Sequence, residues 1–187
     1  MSKTGYIIAM PRECAPLLEK AEISAVKRVM GKQVHIGTLC GKPFAVCVCG
    51  IGKVAAATGV FALAKAFKPD AIINAGVAGG LGVTPRGAAV IARKVWQHDF
   101  DTTAAGDEPG LFSGECDERL SERLAAATQG IAGTVATGDV FVADATRAER
   151  IAELFGASAC DMECAGALEA ANALEIPFAA VKYVSDG

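Results

Sequence analysis

No apolar run in this sequence approaches the roughly 20 residues that a membrane-spanning helix requires, so we expect no membrane partner. The first residues lead into only five apolar residues, from Tyr6 to Met10, which are too few for a signal peptide. The formal net charge is -3 and the basic residues are scattered, which argues against a nucleic-acid partner. Together these absences predict a cytoplasmic protein.

Metal-binding patterns are also scarce. The chain has 2 histidines, His35 and His98, and its 7 cysteines include no pair of C-x-x-C units beside them. A zinc site therefore has little support, and we expect no bound metal. Cys40, Cys47 and Cys49 fall in strand-like apolar runs, where free cysteine behaves as a small hydrophobic residue. We therefore expect structural thiols in a reducing compartment.

A nucleotide cofactor is not expected either. The segment Gly50–Ala55 nominally matches the spacing of a dinucleotide fingerprint. However, the acid expected about 20 residues later, Asp70, precedes a strand instead of ending one, and the loop follows a meander. Lys53 also lacks the four-residue spacer of a Walker loop. We predict no cofactor.

The composition predicts one domain with a large core. The chain has 187 residues and no internal repeat, linker or low-complexity segment. Hydrophobic residues make up 52% of the chain and charged residues only 21%, so part of the surface is expected to form an oligomer interface.

The order of apolar runs predicts an α/β fold. A buried strand is expected over Gly5–Met10, and Pro11 then starts a helix. Three consecutive strands with tight turns at Gly31 and Gly41 are predicted over Val26–Met30, Val34–Cys40 and Phe44–Cys49. Further strands are predicted over Ala71–Asn74, Gly87–Ala92, Ala132–Thr137 and Phe178–Val184, and helices over Val54–Phe67, Asp117–Thr128 and Ala145–Phe155. We expect a mostly parallel or mixed sheet covered by helices.

Two segments between these elements are read as irregular. The glycine-rich segment Gly76–Gly80 is predicted to be a turn, in which glycine lets the backbone approach a ligand or another strand. The segment Gln97–Cys116 has little periodicity and is predicted to be a surface loop or lid.

The carboxylates with the clearest functional pattern lie near the C-terminal end. Asp161 and Glu163 flank Met162 just before an alanine-rich run. Taken alone, the pair is typical of a helix start, where the helix dipole favours negative charge. The surrounding apolar residues, and a further carboxylate at Asp186 after the next apolar run, argue against that interpretation alone, and whether the arrangement is a site depends on the rest of the chain. Glu13 follows the first strand, where ligands bind in open α/β sheets, although a surface glutamate at a helix start fits equally well.

Several motifs together resemble one family. In chain order they are Ile8–Met10 with Glu13, Gly50–Ala56, Ile73–Leu81, Gly138–Val142, Asp161–Glu163 and Val181–Asp186. In this order the chain resembles the 5′-methylthioadenosine/S-adenosylhomocysteine nucleosidases, within the purine nucleoside phosphorylase superfamily. The resemblance implies a three-layer α/β/α fold with a mixed, barrel-like central sheet, a purine nucleoside substrate and a homodimer. We expect a single domain of this type over residues 1–187. The family has a further C-terminal helix after the motif that corresponds to Ser185-Asp186, and this domain is expected to lack it.

The resemblance further implies the catalytic roles. Asp186 would hydrogen-bond or protonate the purine at N7, and Glu13 would act as general base on the attacking water. Breaking an N-glycosidic bond builds positive charge on the ribose and requires an acid for the leaving group. A carboxyl serves as that acid near neutral pH only when it is buried. The position of Asp186 at the end of an apolar strand predicts that it is buried.

The implied substrate contacts surround these two carboxylates. Glu163 would hold the ribose hydroxyls with Met162 against the sugar, Phe141 would stack on the purine, and the Val142 backbone would read the purine edge. Gly76, Val77, Lys182 and Ser185 complete the implied set.

Departures from the family pattern leave two alternatives open. Val77 stands where the nucleosidases commonly have serine, and Lys182 replaces an arginine with a residue that cannot form a forked pair of bonds. Arg12 stands where acidic residues are usual. One alternative is a phosphate-dependent phosphorylase, which Arg12 favours and Val77 disfavours. The other is a degenerate nucleoside-binding protein.

Overall fold

The computed structural model describes residues 2–186, so Met1 and Gly187, the two ends of the predicted domain, lie outside the described residues. The strands are β1 (Thr4–Ile8), β2 (Ala21–Val29), β3 (Lys32–Leu39), β4 (Lys42–Val48), β5 (Ala71–Gly80), β6 (Ala89–Gln97), β7 (Leu111–Glu115), β8 (Ile131–Thr137), β9 (Ala159–Asp161) and β10 (Phe178–Asp186). The helices are α1 (Pro11–Glu19), α2 (Lys53–Phe67), α3 (Glu118–Thr128), α4 (Ala145–Phe155) and α5 (Cys164–Ala173), with a short 3₁₀ turn at Thr103–Ala105.

Five strands close into a barrel. In order they are β10, β6, β8, β9 and β5, and β5 pairs back with β10. The pairs β10–β5, β6–β8 and β8–β9 are parallel, whereas β10–β6 and β9–β5 are antiparallel. Strands β1, β4, β3 and β2 extend the sheet from β5. The predicted mixed, barrel-like sheet is confirmed.

The antiparallel meander of β2, β3 and β4 is confirmed as well. Its two turns place Met30 and Gly31, then Cys40 and Gly41, at positive φ, which is the signature of type I′ hairpins. Strand β2 begins at Ala21, five residues before the predicted start. Its side chains are largely exposed, so this edge strand carries no apolar run that the sequence could reveal.

The helices pack as amphipathic or fully buried elements. Helices α2 and α5 contact each other, while α3 packs on β6 and β10 and α4 packs on β8. Helix α5 is alanine-rich because it is buried on most sides, with Leu168 fully covered. Asp144 caps α4 by accepting a hydrogen bond from Arg147 N, as predicted. Within residues 2–186, no helix has the length and apolar character needed to cross a membrane.

Two predicted irregular segments are partly regular. The segment Gly76–Gly80 is not a turn, because β5 continues through it and pairs with both β10 and β9. Glycine there permits close approach of neighbouring strands instead of chain reversal. The segment Gln97–Cys116 is a loop only in its first part, since β7 pairs with β6 over Leu111–Glu115.

Candidate active site

A cavity of about 290 Å³ opens where β5 and β10 continue past the end of β1. It collects side chains from the starts of α1 and α5, the ends of β5 and β10, and the loops after β4 and β8. Eight of the predicted site residues line it: Glu13, Val77, Phe141, Val142, Met162, Glu163, Ser185 and Asp186. The predicted contacts Gly76 and Lys182 do not line it.

Glu13 is held at the cavity wall by two backbone donors. Pro11 starts α1 directly after β1, which places Glu13 in the first turn. Its Oε2 accepts a hydrogen bond from Met10 N at 3.0 Å and its Oε1 accepts one from Val77 N at 3.1 Å. A Cβ at Gly76 would lie 3.4 Å from Glu13 Oε1, so glycine leaves room for this carboxylate. The carboxylate therefore has a defined orientation before any ligand binds.

Glu163 reaches the cavity from the N-terminus of α5. Its Oε1 accepts a hydrogen bond from Gly52 N at 3.0 Å, across 111 residues of sequence. The side chain is only 6% exposed, and this burial raises its pKa, partly opposed by the positive charge of Lys182. Gly52 precedes α2, so the loop that resembled a dinucleotide fingerprint instead holds Glu163.

Asp161 and Lys182 form an ion pair beside Glu163. Lys182 Nζ lies 2.6 Å from Asp161 Oδ2, and both side chains are 1% exposed. Asp161 also accepts hydrogen bonds from Thr137 Oγ1 and from Cys164 N, the first backbone N–H of α5. Burial alone would lower the pKa of Lys182, but the Asp161 carboxylate raises it above the ordinary value. Lys182 is thus the buried counter-ion of Asp161, away from the cavity wall.

Asp186 lines the cavity at the end of β10. It is exposed, so the predicted burial of this carboxyl is wrong. The β10–β5 register shifts between Val184 and Asp186, and Val184 is the last buried residue of the strand. Asp186 Oδ1 accepts a hydrogen bond from Ser185 Oγ at 3.1 Å.

Exposed apolar side chains surround the carboxylates. Phe141 is 72% exposed, Ile51 56% and Val77 40%, and all three line the cavity. Apolar walls with a few convergent polar groups are typical of small-molecule sites. Met10, Arg12 and Ile51 also line the cavity but were not predicted as site residues. Met10 and Ile51 lie in the motifs Ile8–Met10 and Gly50–Ala56, and Arg12 precedes Glu13, which was the available signal.

The buried state of Glu163 leads to a stability prediction. When folding raises the pKa of an acid, ionisation of that acid costs stability. The cost begins as pH rises above the pKa in the unfolded state and is complete above the pKa in the folded state. Glu163→Gln should therefore raise the melting temperature at pH 7. The difference should shrink as pH falls towards 4.5. Thermal melts at several pH values test this, and a Glu163→Gln protein that melts lower at pH 7 would contradict it.

Comparison with known proteins gives a consistent result. The model of the phosphorylase superfamily matches residues 3–187. A 5′-methylthioadenosine/S-adenosylhomocysteine nucleosidase of Shewanella piezotolerans is 35% identical over 98% of this chain and 86% of its own length. The structure of such a nucleosidase from S. pneumoniae with the transition-state inhibitor MT-ImmA is 34% identical, with a TM-score of 0.89 over 98% of this chain and 85% of that one. A futalosine hydrolase mutant of Helicobacter pylori is 27% identical, with a TM-score of 0.86 over 99% and 90%.

Proposed function

Because the chain belongs to the phosphorylase superfamily and, within it, to the 5′-methylthioadenosine/S-adenosylhomocysteine nucleosidases, we propose that it hydrolyses the N-glycosidic bond of such a purine nucleoside and releases adenine. One observation carries the proposal. Glu13, Glu163 and Asp186 converge on a single cavity with apolar walls. Hydrolysis of a glycosidic bond requires carboxylates in different roles around one sugar.

Glu13 is the general base in this proposal. Its two oxygens are oriented by Met10 N and Val77 N, and each keeps lone pairs for a water molecule in the cavity. Removing a proton from that water as it attacks the ribose carbon makes it a stronger nucleophile. The orientation of the carboxylate by backbone groups means that no side-chain rearrangement has to precede the step.

Asp186 acts on the leaving base. The exposed ring of Phe141 offers a stacking surface for the purine. The backbone of Val142 offers hydrogen-bonding groups to the edge of the purine. A purine stacked there brings its N7 towards Asp186, which hydrogen-bonds or protonates it as the glycosidic bond breaks. Ser185 Oγ, within 3.1 Å of Asp186, orients the carboxyl group.

Glu163 binds and stabilises the sugar. Its Oε1 is taken by Gly52 N, which leaves Oε2 for the ribose hydroxyls. The negative charge also favours the positive charge that develops on the ribose as the bond breaks. Met162, next along the cavity wall, supplies apolar contact to the sugar. Lys182 contributes through Asp161 and not by contact with the substrate.

Water, rather than phosphate, is the nucleophile in this proposal. Val77 places an apolar, 40% exposed side chain on the wall beside Glu13, where a phosphate would need hydroxyl donors. Arg12 is the one cationic residue among those lining the cavity and is the observation that favours a phosphorylase. A carboxylate such as Glu13 beside the nucleophile repels phosphate but activates water.

Release of free base tests the proposal directly. Purified protein should release adenine from 5′-methylthioadenosine or S-adenosylhomocysteine at the same rate with and without phosphate. Glu13→Gln should lower kcat about 10²–10⁴-fold, the range that a positioned general base contributes. A requirement for phosphate would establish the phosphorylase instead. Nucleoside binding without base release would establish a degenerate binding protein.

We propose further that residues 1–187 form one domain and that two copies pair through α2 and α5. A groove of about 440 Å³ between these helices is lined by apolar side chains that include Val54 and Phe61, exposed by 78% and 37%. A second copy of the same face would cover them. The particle mass in solution tests the pairing. A cytoplasmic location fits the 7 free thiols, and a role in methionine salvage fits the release of a thioribose.

A further inference from the structure

A closed hydrogen-bonded ring lies next to the cavity without lining it. Lys53 Nζ is paired with Asp99 Oδ1 at 2.6 Å. The other oxygen of that carboxylate accepts a hydrogen bond from Asp139 N at 2.8 Å. Asp139 Oδ1 in turn accepts one from Lys53 N at 2.8 Å, which closes the ring. Lys53, Asp99 and Asp139 thus join the start of α2, the end of β6 and the loop after β8.

The main chain takes part in the ring at Lys53 and at Asp139, and each of these segments continues into a wall of the cavity. Gly52, the neighbour of Lys53, donates its N–H to Glu163. Asp139 is followed by Val140–Val142, which line the cavity on the side of Phe141. A movement of Lys53 relative to Asp139 would therefore shift Glu163 and Phe141 against each other.

The ring is tightly built. The side chains of Lys53 and Asp99 are 18% and 16% exposed. Burial opposes ionisation of Asp99, but hydrogen bonds from Lys53 and from the Asp139 backbone outweigh it and lower the pKa of Asp99 below its ordinary value. Gly52 has a φ of +102°, and a Cβ there would lie 2.9 Å from Asp139 Oδ1. Only glycine therefore lets the start of α2 approach the Asp139 side chain this closely.

We infer that Lys53 is a positioning residue, which closes this ring so that Glu163 and Phe141 are held at the spacing of a nucleoside. The inference rests on the proposed function for its substrate, but its geometry does not depend on turnover. Lys53 also donates to Gln97 Oε1 at 3.0 Å, so the ring is anchored to the barrel strand β6. A preset spacing lowers the cost of ordering the two walls when the ligand binds.

The expected effect is on binding and not on the chemical step. Lys53 touches neither the reacting atoms nor the cavity, so its loss acts only through the spacing of Glu163 and Phe141, whose contacts with the ribose hydroxyls and the purine already form in the bound state. Lys53→Met should raise KM for 5′-methylthioadenosine about tenfold and leave kcat within about twofold. Lys53→Arg retains the positive charge beside Asp99, so its KM should stay within about threefold of that of the original protein.

A set of matched variants separates positioning from folding. Lys65→Met makes the same change at an exposed residue near the end of α2 and should leave KM unchanged. Asp99→Asn should raise KM as Lys53→Met does, and the double variant should be no worse than either single one, because one ring is broken in all three. A smaller folded fraction would lower kcat and leave KM unchanged, so that pattern overturns the inference. An unchanged KM in Lys53→Met, or effects that multiply in the double variant, overturns it as well.

Binding of the whole nucleoside to catalytically impaired protein provides the readout that is independent of catalysis. In a Glu13→Gln background, calorimetric titration should give a Kd for 5′-methylthioadenosine about tenfold weaker with Lys53→Met than with Lys65→Met. If the original protein cleaves no nucleoside, the proposed function fails, yet weaker nucleoside binding with Lys53→Met still supports the positioning role. Equal nucleoside affinity in the two variants contradicts that role even if turnover is normal.

Discussion

Replacing Asp186 with asparagine is expected to lower kcat for 5′-methylthioadenosine about 10²–10⁴-fold, the range that a positioned general acid contributes. Asparagine keeps the size of the side chain and an acceptor for Ser185 Oγ, but its amide has no acidic proton to transfer to the purine. Since Asp186 is exposed and ends a strand, its substitution should not disturb the core. The measurement is steady-state release of adenine.

The same variant should still bind its substrate. The contacts of Phe141, Glu163 and Met162 remain, so Kd for the nucleoside should stay within about tenfold of the original value. Asp107→Asn, the same change at an exposed residue outside the cavity, should leave both constants unchanged. A kcat within threefold of the original in Asp186→Asn would remove Asp186 from the mechanism.

Replacing Lys182 with methionine is expected to cause the largest loss of stability. The change leaves the Asp161 carboxylate, with a 1% exposed side chain, without its counter-ion. Removing one partner of a buried ion pair costs about 3–5 kcal/mol, which for a chain of this size lowers the melting temperature by roughly 6–20 °C. Lys182 carries a raised pKa, so this contribution is fully present at neutral pH and is lost only as pH rises through that value. Thermal melts at pH 7 measure it.

Two companion variants keep this prediction testable if Lys182→Met folds poorly. In the double variant Lys182→Met with Asp161→Asn, the Asp161 charge is removed together with its counter-ion, so the melting temperature should recover in part. Lys94→Met, the same change at an exposed position of β6, should shift stability by no more than about 0.5 kcal/mol. Equal melting temperatures for Lys182→Met and Lys94→Met would show that the ion pair contributes nothing.

The parts of the fold that depend on local patterns could be predicted from the sequence. Proline after an apolar run marked the start of α1 and with it the position of Glu13. Gly31 and Gly41 marked the hairpins because their turns require positive φ. The order of the motifs also brought together most of the residues that line the cavity.

Features that depend on strand register were not available from local patterns. The Asp161–Lys182 pair requires β9 and β10 to lie on either side of β5 in the barrel, and no spacing of residues reports that arrangement. The exposure of Asp186 depends on a register shift at the end of β10. The continuation of β5 through Gly80 was missed because consecutive glycines usually mark turns, whereas two neighbouring strands hold them extended here.

The role of the Gly50–Lys53 loop was missed for a related reason. Its spacing resembled a phosphate-binding loop, and rejecting that interpretation left the segment without a role. In the structure Gly52 N binds Glu163 and Lys53 binds Asp99, so the loop organises the cavity from behind. Both contacts span long stretches of sequence and arise only from the tertiary fold.

Hydrolysis in water enriched in ¹⁸O tests the central claim most directly. If Glu13 activates water against the ribose carbon, the thioribose released from 5′-methylthioadenosine in phosphate buffer should carry one ¹⁸O atom at that carbon, and Glu13→Gln should lower the rate of incorporation in parallel with adenine release. Quenching early and analysing the sugar by mass spectrometry limits later exchange with solvent. A sugar 1-phosphate as the product would contradict the account.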